Sequence, residues 1–188
     1  AKKITLLYFK EKPKRAKKII SKVRKKYLKG FYENIHYREL MAVDRYYNYK
    51  ISAGKIFRKK LTFPEKTFNK RLKIRIAQIS ELSQKIIKDP EKGGVVMIGP
   101  LNEILLRAYD RLINEVSSYT PKSKGAEYIA GFKKSMLGLA DNLKLQKSDI
   151  IKNVNNVITK KSILTPTDTE FTNTININNF KRNLPGSW

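Results

Sequence analysis

The strongest constraint on this chain is a spacing. Between residues 64 and 88 the apolar side chains Phe68, Leu72, Ile76, Ile79, Leu82 and Ile86 recur every three or four positions. Only an α-helix gathers such positions into one stripe. The same period returns at Ala16, Ile19, Ile20, Val23, Tyr27 and Leu28, and again at Ile35, Leu40, Val43 and Tyr47. Further on it runs through Leu101, Ile104, Leu105, Ala108, Leu112, Ile113 and Val116, then through Ile129, Phe132, Met136, Leu139, Ala140 and Leu143. A last stretch holds Ile150, Ile151, Val154, Val157 and Ile158. A chain patterned this way is all-α, and its helices must bury their stripes against one another.

Local signals place the boundaries. The first helix is expected from Pro13 to Lys29 with Gly30 as its stop, and the second from Phe31 to Tyr49. Ser52, Ala53 and Gly54 read as a break, followed by a short helix over residues 55–61. Thr62-Phe63-Pro64-Glu65 has the form of a capping box with proline in the first turn of the long helix. Asp89-Pro90 and Gly93-Gly94 end that helix. The apolar run Val95 to Ile98 reads as the first turn of the next helix, ahead of a kink at Pro100, and that helix continues to about Ser118. After a loop from Tyr119 to Gly125, one helix runs from Ala126 to about Leu145, and Ser148 caps another. The segment from Ser162 to Trp188, with Thr165-Pro166-Thr167 and the alternating Ile175-Asn176-Ile177-Asn178, is poor helix material. The expected organisation is a basic helical domain over residues 1–161 and an irregular polar tail over residues 162–188 that is extended or partly disordered.

Composition narrows the function classes. The 188 residues contain no cysteine, which excludes a disulfide framework, a cysteine-ligated zinc or iron–sulfur site and a cysteine nucleophile. The formal net charge is +25, and it is unevenly placed, with +20 carried by residues 1–90 and +5 by residues 91–188. Such a field accelerates encounters with phosphate polymers, anionic lipid or acidic protein surfaces without choosing among them. Lysine outnumbers arginine 31 to 10, a ratio that counts against bidentate phosphate and guanine recognition. No apolar run approaches the roughly 18 residues of a membrane span. The sequence begins at Ala1, which fits either a matured secreted protein or a piece of a longer one.

Reactive constellations are hard to assemble from these residues. His36, between Glu33 and Glu39, has the Glu-x-x-His spacing of di-iron bundles, but the chain holds no second histidine, so a structural or solvent-facing role is the better reading. Gly94 to Gly99 has the glycine spacing of a phosphate loop, yet Pro100 and Leu101 stand where Lys and Ser or Thr are required. Glu103 and Asp110 flank Arg107, and Glu81 and Glu11 precede Lys85 and Arg15 by four residues, an order that stabilises helix faces. No catalytic residue, metal or cofactor is expected.

Seven of the ten tyrosines precede residue 50, interleaved with lysine and arginine. Charge with stacking is how single strands are gripped, which makes Tyr46, Tyr47 and Tyr49 candidates for base stacking, although helix packing uses tyrosine just as heavily.

The stretch Phe57-x3-Leu61-Thr62-Phe63-Pro64-Glu65-x2-Phe68-Asn69-x2-Leu72-Lys73, with Tyr109, Pro121 and Tyr128 beyond it, resembles the C-terminal helical region of envelope-associated tetratricopeptide-repeat proteins of gliding and predatory bacteria. The likeness covers roughly residues 55–160. It implies antiparallel helix pairs stacked as an α-solenoid-like array that binds other proteins without catalysis, in the periplasm or cell envelope, with the cytoplasm as the other setting. The expected function is a non-enzymatic interaction scaffold for an acidic protein or peptide. Its candidate contacts are Lys14, Lys17, Lys18, Lys22, Lys25, Lys26, Arg58, Lys59, Lys60, Lys70, Arg71 and Lys73. The competing expectation is a nucleic-acid-binding protein that uses the same cations on phosphates, and an anionic envelope surface is a third class of partner.

Overall fold

The computed structural model describes residues 12–27, 35–88, 98–122 and 124–160; among them are five helices and no strand. Helix α1 spans Pro13–Tyr27, α2 Ile35–Ile56, α3 Glu65–Ile87, α4 Ile98–Ser118 and α5 Ala126–Lys160. The all-α expectation is met. The stop at Gly30, the Gly93-Gly94 break and the tail over residues 162–188 lie outside the described residues.

Helix α2 does not break at Ser52-Ala53-Gly54. Tyr46, Tyr49, Ala53, Ile56 and Phe57 form one continuous stripe against the main core, and that stripe carries the helix through the glycine. Ser52 turns its hydroxyl back onto the Asn48 carbonyl at 2.8 Å, so it stays inside the helix. The short helix expected over residues 55–61 is absent: the chain turns at Phe57 and runs without regular structure to Thr62.

The capping box before α3 is not formed either. Pro64 takes the N-cap position with no side-chain cap, and its carbonyl accepts from the Thr67 and Phe68 amides. The Thr62 hydroxyl is committed elsewhere, as an acceptor for Arg71. Phe68, Leu72, Ile79, Leu82 and Ile86 are buried as the spacing predicts, and Arg75 is buried in the same stripe. At α4 the proline sits in the first turn, where its missing N–H has no helical partner to lose, so Pro100 causes no kink within the described helix. Residues 95–97 lie outside the described residues.

The two helices expected on either side of Ser148 are one helix of 35 residues. Its stripe never lapses. Met136, Leu139, Ala140, Leu143, Ile150 and Val154 all face buried neighbours, and Lys147 and Gln146 reach across to Asp110 and Tyr109. A serine cap has nothing to cap where packing is continuous on both sides.

Cross-helix contacts give the directions. Arg75 meets Glu115 and Phe68 meets Tyr119, so α3 and α4 are antiparallel. Asp110 meets Lys147 and Tyr119 meets Phe132, so α4 and α5 are antiparallel as well. Tyr49 reaches Lys85 and Phe57 reaches Arg75, which sets α2 antiparallel to α3. Helix α4 is thus flanked by α2, α3 and α5, and Leu105, Leu112 and Val116 at its centre are fully enclosed. Helix α1 is separate in its support: Ala16 and Ile20 bury against Met41 of α2, with Ile19, Val23 and Tyr47 around them.

One end of the bundle is closed by aromatic rings. Phe63 before α3, Phe68 in its first turn, Tyr119 after α4, and Tyr128 and Phe132 at the start of α5 form one cluster in which eight of the ten ring pairs have centroids 4.7 to 6.4 Å apart. The Phe63 amide donates to the Tyr119 hydroxyl at 3.2 Å, and the Tyr128 hydroxyl donates to Glu65. Offset and edge-on rings of this kind contribute about 0.5–1.5 kcal/mol per pair beyond their burial.

Candidate interaction surface

Several acidic side chains among the described residues are held in ion pairs within the molecule. Glu81 pairs with Lys85 at 2.6 Å, Glu103 with Arg107 at 2.8 Å, Asp141 with Lys144 at 2.8 Å, and Glu115 with Arg75. Asp110 takes Lys147 of α5 at 2.6 Å, in place of the Arg107 partner that its spacing suggested. Exposed cations without such a partner outnumber exposed acids without one among the described residues. Among the described residues Lys14, Lys17, Lys18, Lys22, Lys25, Arg58, Lys59, Lys60, Lys70 and Lys73 are exposed and face no carboxylate partner.

These cations fall into groups set by the fold. Lys14, Lys17, Lys18, Lys22 and Lys25 occupy the outer face of α1, because Ala16 and Ile20 hold the inner one. The side chain of Lys26 lies outside the described residues. On α3, Lys70 and Lys73 are exposed, and at 100° per residue Lys73 stands roughly 160° around the helix from Arg71. The sequence candidates on this helix therefore do not share a face.

Arg71 belongs instead with the α2–α3 connector. Its Nη1 donates to the Lys60 carbonyl at 2.8 Å and to the Thr62 hydroxyl. One turn on, the buried Arg75 donates to the Lys59 carbonyl and to Glu115, whose other oxygen accepts from the Leu61 amide at 3.4 Å. Two arginines and one glutamate thereby fix the backbone that presents Arg58, Lys59 and Lys60. Arg111 of α4 completes the cluster from the other side, with its guanidinium carbon 4.6 Å from the Phe57 ring centroid; Arg75 lies 5.0 Å from the same ring.

Arg75 and Arg111 were not legible as site residues. The first sits in an apolar stripe, and the second is joined to Phe57 across 54 positions with no local pattern to announce it. Four of the ten arginines of the chain, Arg58, Arg71, Arg75 and Arg111, gather at this one place.

The three candidate stacking tyrosines are engaged in packing. Tyr46 and Tyr49 lie against the main core and Tyr47 against the α1 cluster, all half-buried, and Tyr46 and Tyr47 meet edge to face at 5.1 Å. Burial pushes the Tyr47 hydroxyl above its ordinary pKa, and it does the same to Tyr109. Lys50, between α2 and α4, is lowered by burial first and by Arg107 second, with Glu103 opposing both.

Among the described residues no three His, Asp or Glu side chains are grouped so as to hold a metal ion, and no helix is long and apolar enough to cross a membrane. Glu33 and the side chain of His36 lie outside the described residues. Comparison with family models, with curated proteins and with solved structures finds no match for this chain.

Proposed function

We propose that this protein is a non-enzymatic interaction module, a stack of antiparallel helices whose basic surface receives an acidic protein or peptide. One observation carries the reading. Among the described residues several carboxylates are held in internal ion pairs, while Lys14, Lys17, Lys18, Lys22 and Lys25 of α1 and Arg58, Lys59 and Lys60 of the α2–α3 connector are exposed and face no carboxylate partner. Surplus charge of one sign costs stability through self-repulsion, and an acidic partner relieves that cost while the field speeds its arrival. A solenoid-like arrangement of the helices is part of the proposal. It is supported by the antiparallel order of α2, α3, α4 and α5 and by the side-by-side contact of the alternate helices α2 and α4.

The test separates a protein partner from nucleic acid. The full chain is used as bait at about 50 and about 200 mM salt, with and without nuclease. Nucleic-acid binding loses about 10³–10⁵ in affinity across that range when six to ten phosphates are contacted. A protein groove keeps an apolar, salt-tolerant share. Recovery of the same protein partner after nuclease supports the module. Loss of all bound material on nuclease treatment overturns it in favour of nucleic-acid binding through the same cations.

A further inference from the structure

We infer that the partner's acidic groups are read at the α2–α3 connector, by Arg111 and Arg71 with Arg58, Lys59 and Lys60, and that Arg111 is the residue that determines specificity. The inference rests on the proposed acidic-partner function and names where and how it is carried out.

The starting point is an unbalanced charge. Arg75 and Arg111 both approach the Phe57 ring, at 5.0 and 4.6 Å. A single carboxylate, Glu115, stands in this cluster, and its two oxygens are already taken by Arg75 and by the Leu61 amide. Arg75 is therefore compensated, and Arg111 has no carboxylate partner among the described residues. Among the described residues its guanidinium is steadied by the ring face, which holds the cation while leaving its N–H fork unspent there. An arginine held in this way loses little further side-chain entropy when it meets an oxyanion.

The surroundings favour one occupant. Arg71 and Arg75 tie down the carbonyls of Lys60 and Lys59, so neighbouring cations sit on a braced backbone and not on a free loop. A cluster of guanidinium forks and ammonium groups on a short connector matches closely spaced carboxylates, which guanidinium binds in bidentate fashion. Nucleic acid is the poorer fit, because among the described residues the aromatic rings nearest these cations are packed, and the exposed Tyr128 ring already has the Lys124 ammonium 5.4 Å from its centroid. Phe57 is buried under the two arginines, Phe63 is built into the aromatic cluster, and Tyr46, Tyr47 and Tyr49 are packed between helices. The occupant is an acidic peptide segment of a protein partner.

The experiment titrates the full chain into a fluorescein-labelled peptide of ten glutamates at about 50 and about 150 mM salt, with a single-stranded oligonucleotide as competitor. Arg111→Lys keeps the charge and removes the fork; because Arg111 is exposed, an unchanged unfolding midpoint shows that the variant is folded. The expected result is a loss of roughly tenfold in peptide affinity for Arg111→Lys, the cost of one charge-assisted bidentate contact. Replacing Lys14, Lys17, Lys18 and Lys22 together by Gln should cost less at the higher salt, where unbraced surface charges are screened. Wild-type binding that survives Arg111→Lys and Arg111→Gln unchanged, but is lost in the four-lysine variant, overturns the inference and leaves the acidic-partner reading standing on α1. Failure of the wild-type chain to bind the peptide at either salt concentration overturns both. Displacement by the oligonucleotide at far lower concentration than by unlabelled peptide overturns both in favour of nucleic acid.

Discussion

Two cationic regions of this protein are mounted differently. On α1 the lysines ride a helix of 15 residues seated by Ala16, Ile20 and Met41. An isolated helix of that length is marginal in water, so α1 depends on this small contact for its order. At the α2–α3 connector the cations sit on the main core, braced by Arg71, Arg75 and Glu115 and backed by the aromatic cluster. Charge density alone does not describe this contrast. The difference lies in how much each cation must be ordered when a partner arrives, which is where affinity is won or lost.

The contrast can be broken from its strongest side first. Phe68 is fully buried and touches Phe63, Tyr119 and Phe132, so Phe68→Ala should cost about 3–5 kcal/mol in urea unfolding. A cost under about 1 kcal/mol would mean the aromatic end does not support the connector. Next is Glu115→Ala, which leaves Arg75, only 3 % exposed, without its carboxylate and frees the Leu61 amide. About 3 kcal/mol is expected, and the double replacement Arg75→Met with Glu115→Leu should recover most of it, because breaking a buried pair is worse than removing it.

Ile20→Ala sharpens the other side of the comparison. It should remove hydrogen-exchange protection from residues 13–27 at a local cost of about 2 kcal/mol, while the main unfolding transition is unmoved. Loss of protection throughout the chain would show that α1 and the bundle unfold as one unit. The smallest effect is expected at Gly54, inside α2 with open space where a Cβ would go. Gly54→Ala should stabilise the protein by about 0.4–1 kcal/mol, seen as a raised Tm.

A pH titration probes the aromatic end without mutation. Tyr128 is raised above its ordinary value first by its hydrogen bond to Glu65, then by desolvation and by the carboxylate's charge. A raised tyrosine favours the neutral form in the folded state, so its contribution is complete below pH 10 and is lost as pH climbs through the folded value. Ultraviolet difference absorbance should show Tyr128 ionising late together with Tyr47 and Tyr109, and Glu65→Gln should bring one of the late tyrosines back toward the ordinary value.

The helices were legible because a stripe of Leu, Ile and Phe at three and four spacing admits few other folds, and Phe68 to Ile86 on α3 illustrate it. The misreadings share one cause. Gly54 is a local break signal and Ser148 a local start signal, and each is overridden by a stripe that continues on both sides of it. Thr62 looked like a cap, but Arg71 claimed its hydroxyl from nine residues away. The candidate surface was legible only in part for the same reason. The exposed cations of the connector can be found by counting, whereas the braces beneath them, Arg75 with Glu115 and Arg111 with Phe57, join residues 40 and 54 positions apart.

Phe57 ends a helix stripe, yet its ring is also what steadies the Arg111 guanidinium among the described residues. Leucine in its place would satisfy the core nearly as well and would leave the net charge and the helical pattern untouched. By every tally taken along the chain the two proteins would be twins, but in one of them the decisive cation would have lost its anvil. Relatives that keep all the lysines and lack this one benzene ring should therefore be suspected of having given up the partner.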